Sequence, residues 1–183
     1  MENDSLRMKV LLSFSHAPVD VDHPFASEDV NAAFYLQDWL HKRNVESWPD
    51  VNQDTIPLQE WKETVHQRMQ EVVAVLCLIS PETVRTRYVG QLLEVAELYP
   101  RCRIYLIWVA GQDDEWDNLV PRELKHLTLN IDEERFDIRG DIRSKPNTQR
   151  LNDLLATLRA RHTEDAKKIA EDARNSAQQR SSM

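Results

Sequence analysis

Short apolar runs alternate with longer stretches in which apolar positions recur every three or four residues. The run over 10–15, Val-Leu-Leu-Ser-Phe-Ser, has no polar face and predicts a strand covered on both sides. After an Asp- and Pro-rich loop, Ser27 offers an N-cap, and Val30, Ala33, Phe34, Leu36 and Leu40 give a helix to about Arg43 one apolar face. A second short strand is expected over 45–48, stopped by Pro49, and then a polar loop broken by Pro57. Trp61, Val65, Met69 and Val72 keep helical spacing from about Gln59. They lead into 72–79, the clearest buried strand in the chain. Ser80 and Pro81 end it, and Pro81 suits the first turn of a helix reaching about Leu98.

The same alternation predicts a strand over 104–109, an acidic loop or short helix over 113–126, and an alternating edge strand over 127–131. Leu151, Leu154, Leu155 and Leu158 then define a closing helix over 148–161. Five strands joined by helical crossovers imply an α/β fold with one doubly wound parallel sheet, because parallel neighbours require crossovers. The flavodoxin-like order 2-1-3-4-5 is the leading topology. One domain is expected over 8–161. The tail over 162–183 has Ile169 as its one large aliphatic residue, and it reads as a solvated helix fraying into disorder.

Composition narrows the function. With 183 residues, 41% hydrophobic, the chain can build one well-buried core. The longest apolar run is too short for the roughly 20 residues that span a bilayer, and the first residues carry Glu2 and Asp4, unlike a secretory leader. The expectation is a cytoplasmic protein with no membrane partner. A net charge of −8, with basic residues dispersed among acids, argues against nucleic acid. The three glycines, Gly90, Gly111 and Gly140, are too far apart for a phosphate-cradling loop. Cys77 and Cys102 read as reduced packing thiols, too few for a zinc cluster. His16, Asp20, Asp22 and His23 share a loop, but no regular element fixes them as ligands, so no metal is expected. The acids at 113, 114, 115 and 117 read as solvated surface.

Three segments, in order, carry a resemblance to a known family. They are Leu-Leu-Ser-Phe-Ser-His-Ala-Pro-Val-Asp over 11–20, Val-Glu-Ser-Trp-Pro-Asp over 45–50 with the loop to Trp61, and Val-Leu-Cys-Leu-Ile-Ser-Pro-Glu-Thr-Val-Arg-Thr-Arg-Tyr-Val over 75–89. These resemble the first strand, the second strand with its BB loop, and the third strand with its Ser-Pro exit in TIR (Toll/interleukin-1 receptor) signalling domains. The related SEFIR domains share the opening strand and the Ser-Pro exit. A response-regulator receiver fits less well, because paired acids after the first strand and a lysine after the last are not clearly present.

The resemblance implies self-association with other TIR-like domains, a homo-oligomer, through Asp54, Ile56, Pro57 and Leu58 of the second loop. It also implies NAD as a substrate in catalytic members, with no bound cofactor. Cleaving the nicotinamide–ribose bond builds positive charge on the ribose, which a carboxylate stabilises. The family's glutamate lies four residues after the helix aromatic, and here Tyr88 plus four is Leu92. The nearest carboxylates are Glu94 and Glu97, and Glu94 is the acid the resemblance singles out, although on a regular helix it lies about 200° round from Leu92. Phe14, Ser15, Trp48, Ser80 and Tyr88 are the candidate pocket residues. A non-catalytic interaction scaffold is the alternative. Serine hydrolase chemistry is excluded by the lack of a nucleophile elbow around Ser15 or Ser80. Cysteine catalysis fails because Cys77 lies in a buried strand and Cys102 has no local histidine.

Overall fold

Side chains on a strand point alternately to the two faces of a sheet, so a sheet covered on both faces needs strands that are apolar at every position. In the computed structural model this holds for the central strands. The structure describes residues 8–14, 28–48, 58–81, 98–99, 102–120, 135–143 and 148–181. Among them the strands are β1 (Met8–Ser13), β2 (Val45–Trp48), β3 (Ala74–Ile79), β4 (Arg103–Trp108) and β5 (Arg135–Asp137). They form one sheet in the order β2-β1-β3-β4-β5, and every neighbouring pair is parallel. The doubly wound five-stranded sheet expected from the alternation is the fold of the chain.

The helices are α1 (Glu28–His41), α2 (Leu58–Met69), the short α3 (Trp116–Leu119), α4 (Arg139–Arg143) and the long α5 (Gln149–Ser181). A single 3-10 turn, Asp113–Glu115, precedes α3. Two cores result. Val10, Leu12 and Phe14 of β1, Leu76 and Leu78 of β3, and Tyr105 and Ile107 of β4 pack with Leu36 and Leu40 of α1 and with Leu151, Leu154 and Leu158 of α5. The opposite parity, Leu11, Val75, Cys77, Ile79, Leu106 and Trp108, packs with Val65 and Met69 of α2 and with Leu119. Burying each Leu or Ile side chain stabilises by about 1.5–3 kcal/mol, so this double layer is the main source of stability.

Several boundaries differ from the sequence reading. β1 starts two residues early because Met8 is buried and pairs with Val45. β3 starts at Ala74; Val72 still closes the helical turn onto the Arg68 carbonyl, while Val73 donates to the Lys9 carbonyl. The strand paired to β4 is β5, within a stretch expected to be irregular, whereas the expected edge strand over 127–131 lies outside the described residues. A three-residue strand with Phe136 flanked by Arg135 and Asp137, all half-buried, has too little pattern to be seen in advance.

Two local devices shape the helix ends. The end of α1 closes through Asn44, whose φ of 60° is left-handed, a conformation asparagine tolerates better than most residues. There Arg43 lies over the Trp39 ring at 3.8 Å and donates to the Trp39 carbonyl. At α5, buried Asp141 accepts a 2.9 Å hydrogen bond from the Leu151 amide, meeting one of the orphan donors of the helix's first turn. The opening of α5 is therefore anchored to α4. Its Arg159 reaches the Arg43 carbonyl near the amino ends of the strands, so α5 runs antiparallel to the sheet and its later residues are exposed.

Candidate functional site

In open parallel sheets ligands bind beyond the carboxyl ends of the strands, above all where the chain order reverses. Here the reversal lies between β1 and β3, which are neighbours although β2 intervenes in sequence. Ser13 is in register with Cys77, so Phe14 is level with Leu78 and Ser80 stands two residues further along. Both belong to strand positions of even number, the α1 and α5 side, and both are buried, Phe14 at 3% and Ser80 at 1% exposure. The structure thus brings these two candidates together at the reversal point.

Trp48 is placed differently. It pairs with Leu11, three residues short of Phe14, and packs with the α2 core on the other face. The Arg68 guanidinium lies 5.9 Å from its ring centroid. Trp48 lines a cleft of about 640 Å3 along β2, not the rim shared by Phe14 and Ser80. Ser15, Tyr88, Glu94, Asp54, Ile56 and Pro57 lie outside the described residues, as do His16, Asp20, Asp22 and His23; Leu58 opens α2. Among the described residues there is no group of three potential metal ligands, and no helix is long and apolar enough to cross a membrane.

One charged cluster at the carboxyl rim was not anticipated. Arg139, just past β5, donates from Nε to Asp137 Oδ1 at 3.0 Å and from Nη2 to Asp137 Oδ2 at 2.7 Å, a bidentate pair. Its Nη1 holds the Gly111 carbonyl at 2.8 Å and Nη2 also reaches Asp113 at 2.6 Å. The guanidinium stacks 3.3 Å from the centroid of Trp108, with Arg135 at 4.6 Å from the same centroid. The indole of Trp108 is buried and satisfies its N–H on the Ala110 carbonyl at 2.7 Å. Burial by itself would raise the Asp137 carboxyl, but hydrogen bonds and positive charge from Arg139, with Arg135 adding to it, outweigh this and hold it below its ordinary value. The bond to Asp137, aided by Asp113, raises the Arg139 guanidinium in turn, against a smaller opposing effect of burial. This arrangement locks the segment after β4 to the end of β5. Asp113, 91% exposed, is the loosest member.

The cysteines offer no nucleophile. Cys77 is fully buried in β3, and burial pushes the half-buried Cys102 thiol up to about 12. Near Cys102, Tyr99 donates to the His66 carbonyl at 3.2 Å and meets His66 Nδ1 at 3.1 Å. These two contacts tie Tyr99, ahead of β4, to α2.

No family model matches the chain, and no curated protein matches it. Among solved structures it is similar to the TIR domains of the activated Roq1 resistosome, which directly recognises the pathogen effector XopQ. The TM-score is 0.40 and the identity 11%, over 85% of this chain and 80% of that one. A likeness at that level says nothing about chemistry.

Proposed function

We propose that the chain is a TIR-like signalling domain that acts by self-association. The observation that supports this reading most is internal. The three segments carrying the resemblance contribute β1, β2 and β3, three adjacent strands, and the Ser-Phe and Ser-Pro exits stand side by side where the chain order reverses. Exchanging β1 with β2 in the sheet would separate the two exits. Asp54, Ile56, Pro57 and Leu58 form the association surface in this reading, with other TIR-like domains, foremost a second copy, as partners.

Sedimentation velocity over a hundredfold concentration range tests it. Association that grows with concentration and weakens in Ile56→Asp is the expected result; a monomer throughout overturns the reading. Cleavage of NAD is a second reading, favoured by the nearness of Phe14 and Ser80 on neighbouring strands at the usual ligand edge. Glu94 is its acid and Tyr88 its stacking aromatic. Nicotinamide release by concentrated protein, lost in Glu94→Gln, supports it. Release that survives Glu94→Gln removes Glu94 from the mechanism, and no release from the associated form leaves a non-catalytic scaffold.

A further inference from the structure

The outer edge of β2 is a second place where this fold can take a partner, independent of the carboxyl rim. Among the described residues β2 ends the sheet and pairs on one side only, with β1. A terminal strand turns alternate N–H and C=O groups outward, a template for another extended chain. Here that edge lies in the 640 Å3 cleft, walled on one face by Gln37 and His41 of α1 and on the other by Arg68 of α2 with Glu71 behind it. Glu46 and Ser47 of β2 line it between those walls. An occupant must send successive side chains to opposite walls while offering its backbone to the edge. An extended peptide has that geometry, with its two-residue period.

Charge selects among extended peptides. Glu71 is engaged by Lys9 at 3.2 Å and by Arg68 at 3.7 Å, and Asp38 by Lys42 at 2.6 Å. Glu46, exposed at the middle of the edge, has no ion-pair partner among the described residues: Lys9, in register beside it on β1, is engaged by Glu71, and the chain carries a net charge of −8. A side chain on an added strand directly beside it is close enough to interact, so a cation there is favoured and an acid disfavoured. The same charge opposes pairing of one β2 edge with another copy's.

We propose that the β2 edge binds an extended basic peptide segment as a sixth strand, with a Lys or Arg side chain beside Glu46. The test uses full-length protein and a fluorescein-labelled, end-capped heptapeptide of alternating lysine and valine. Two further versions are N-methylated at the odd or at the even positions, and a fourth carries glutamate for lysine. Strand pairing uses one edge of the peptide. One methylation pattern should therefore weaken binding by at least about tenfold, the loss of two or more backbone hydrogen bonds, while the other is tolerated. The glutamate peptide should bind more weakly to the wild type, and Glu46→Lys should reverse that preference by about two- to fivefold in each direction. Amide resonances of 45–48 should move on titration. Equal effects of the two methylation patterns, resonance changes away from β2, or no binding up to millimolar peptide would overturn the proposal.

Discussion

At the scale of single residues, the Arg139 cluster shows how one side chain can do work that its sequence neighbourhood does not advertise. Its stacking on Trp108 is shielded, with 15% of the Arg139 side chain exposed, and its bidentate bond reaches a partly exposed Asp137, whereas the Asp113 contact is open to water. Arg139→Ala should therefore cost about 2 kcal/mol of stability in urea denaturation, and Asp113→Ala less than about 0.5 kcal/mol. Equal losses would mean that the exposed contact matters as much as the stacked one. The pH dependence has a definite sign. Asp137 is held below its ordinary value in the folded chain, so its contribution is present above the unfolded value near pH 4 and is lost as the pH falls through the folded one. The stability gap between wild type and Asp137→Asn should shrink between pH 6 and pH 3; a constant gap would show that the charge is not what Asp137 contributes. Cys102 supplies a separate check. With its thiol near 12, it carries about a thousandth of the thiolate of an ordinary cysteine at pH 8. Modification by a disulfide reagent should be at least about a hundredfold slower in native than in denatured protein.

At the scale of elements, what could be read in advance followed from how strongly each element repeats its pattern. β1, β3 and β4 are apolar on both parities because both faces are covered, and such runs stand out in any reading. Phe14 and Ser80 were legible as rim residues for the same reason, since a buried run that ends at a breaker marks the strand's carboxyl end. Trp48 was not: its face depends on the register of a four-residue strand, which only the pairing with Leu11 supplies. β5 and Arg139 escaped because their meaning is non-local, as in the bond from Arg139 to Asp113, 26 residues away. The capping of α5 by Asp141 is another such link. Asp141→Ala leaves the buried Leu151 amide without its acceptor and should destabilise by about 1–2 kcal/mol, whereas Asp141→Asn keeps an acceptor and should lose less. Hydrogen exchange at Leu151 reads this directly, and unchanged protection in Asp141→Ala would exclude the cap.

At the scale of the whole molecule, the question is how much of α5 belongs to the folding unit. Its first part contributes Leu151, Leu154, Leu155 and Leu158 to the core, all between 0% and 6% exposed. Beyond Arg159 the residues whose burial is described are exposed apart from His162, and Ile169, the one large aliphatic residue there, is 54% exposed. His162, Ala166 and Ile169 line one wall of a cleft of about 530 Å3 against Val72, Leu98 and Cys102, so the segment does face the body across open space. Open space contributes little: half of an isoleucine side chain left in contact with water forfeits about half of its roughly 2 kcal/mol of burial energy, and ordering the backbone opposes the remainder. We therefore propose 8–161 as the folding unit. A chain ending at residue 161 should unfold within about 3 °C of the full-length protein, because a loss below 1 kcal/mol shifts the midpoint of a domain of this size by no more than that. A drop of 8 °C or more would place the projecting helix among the elements that hold the core together, and the cleft beside Ile169 would then have to close in solution.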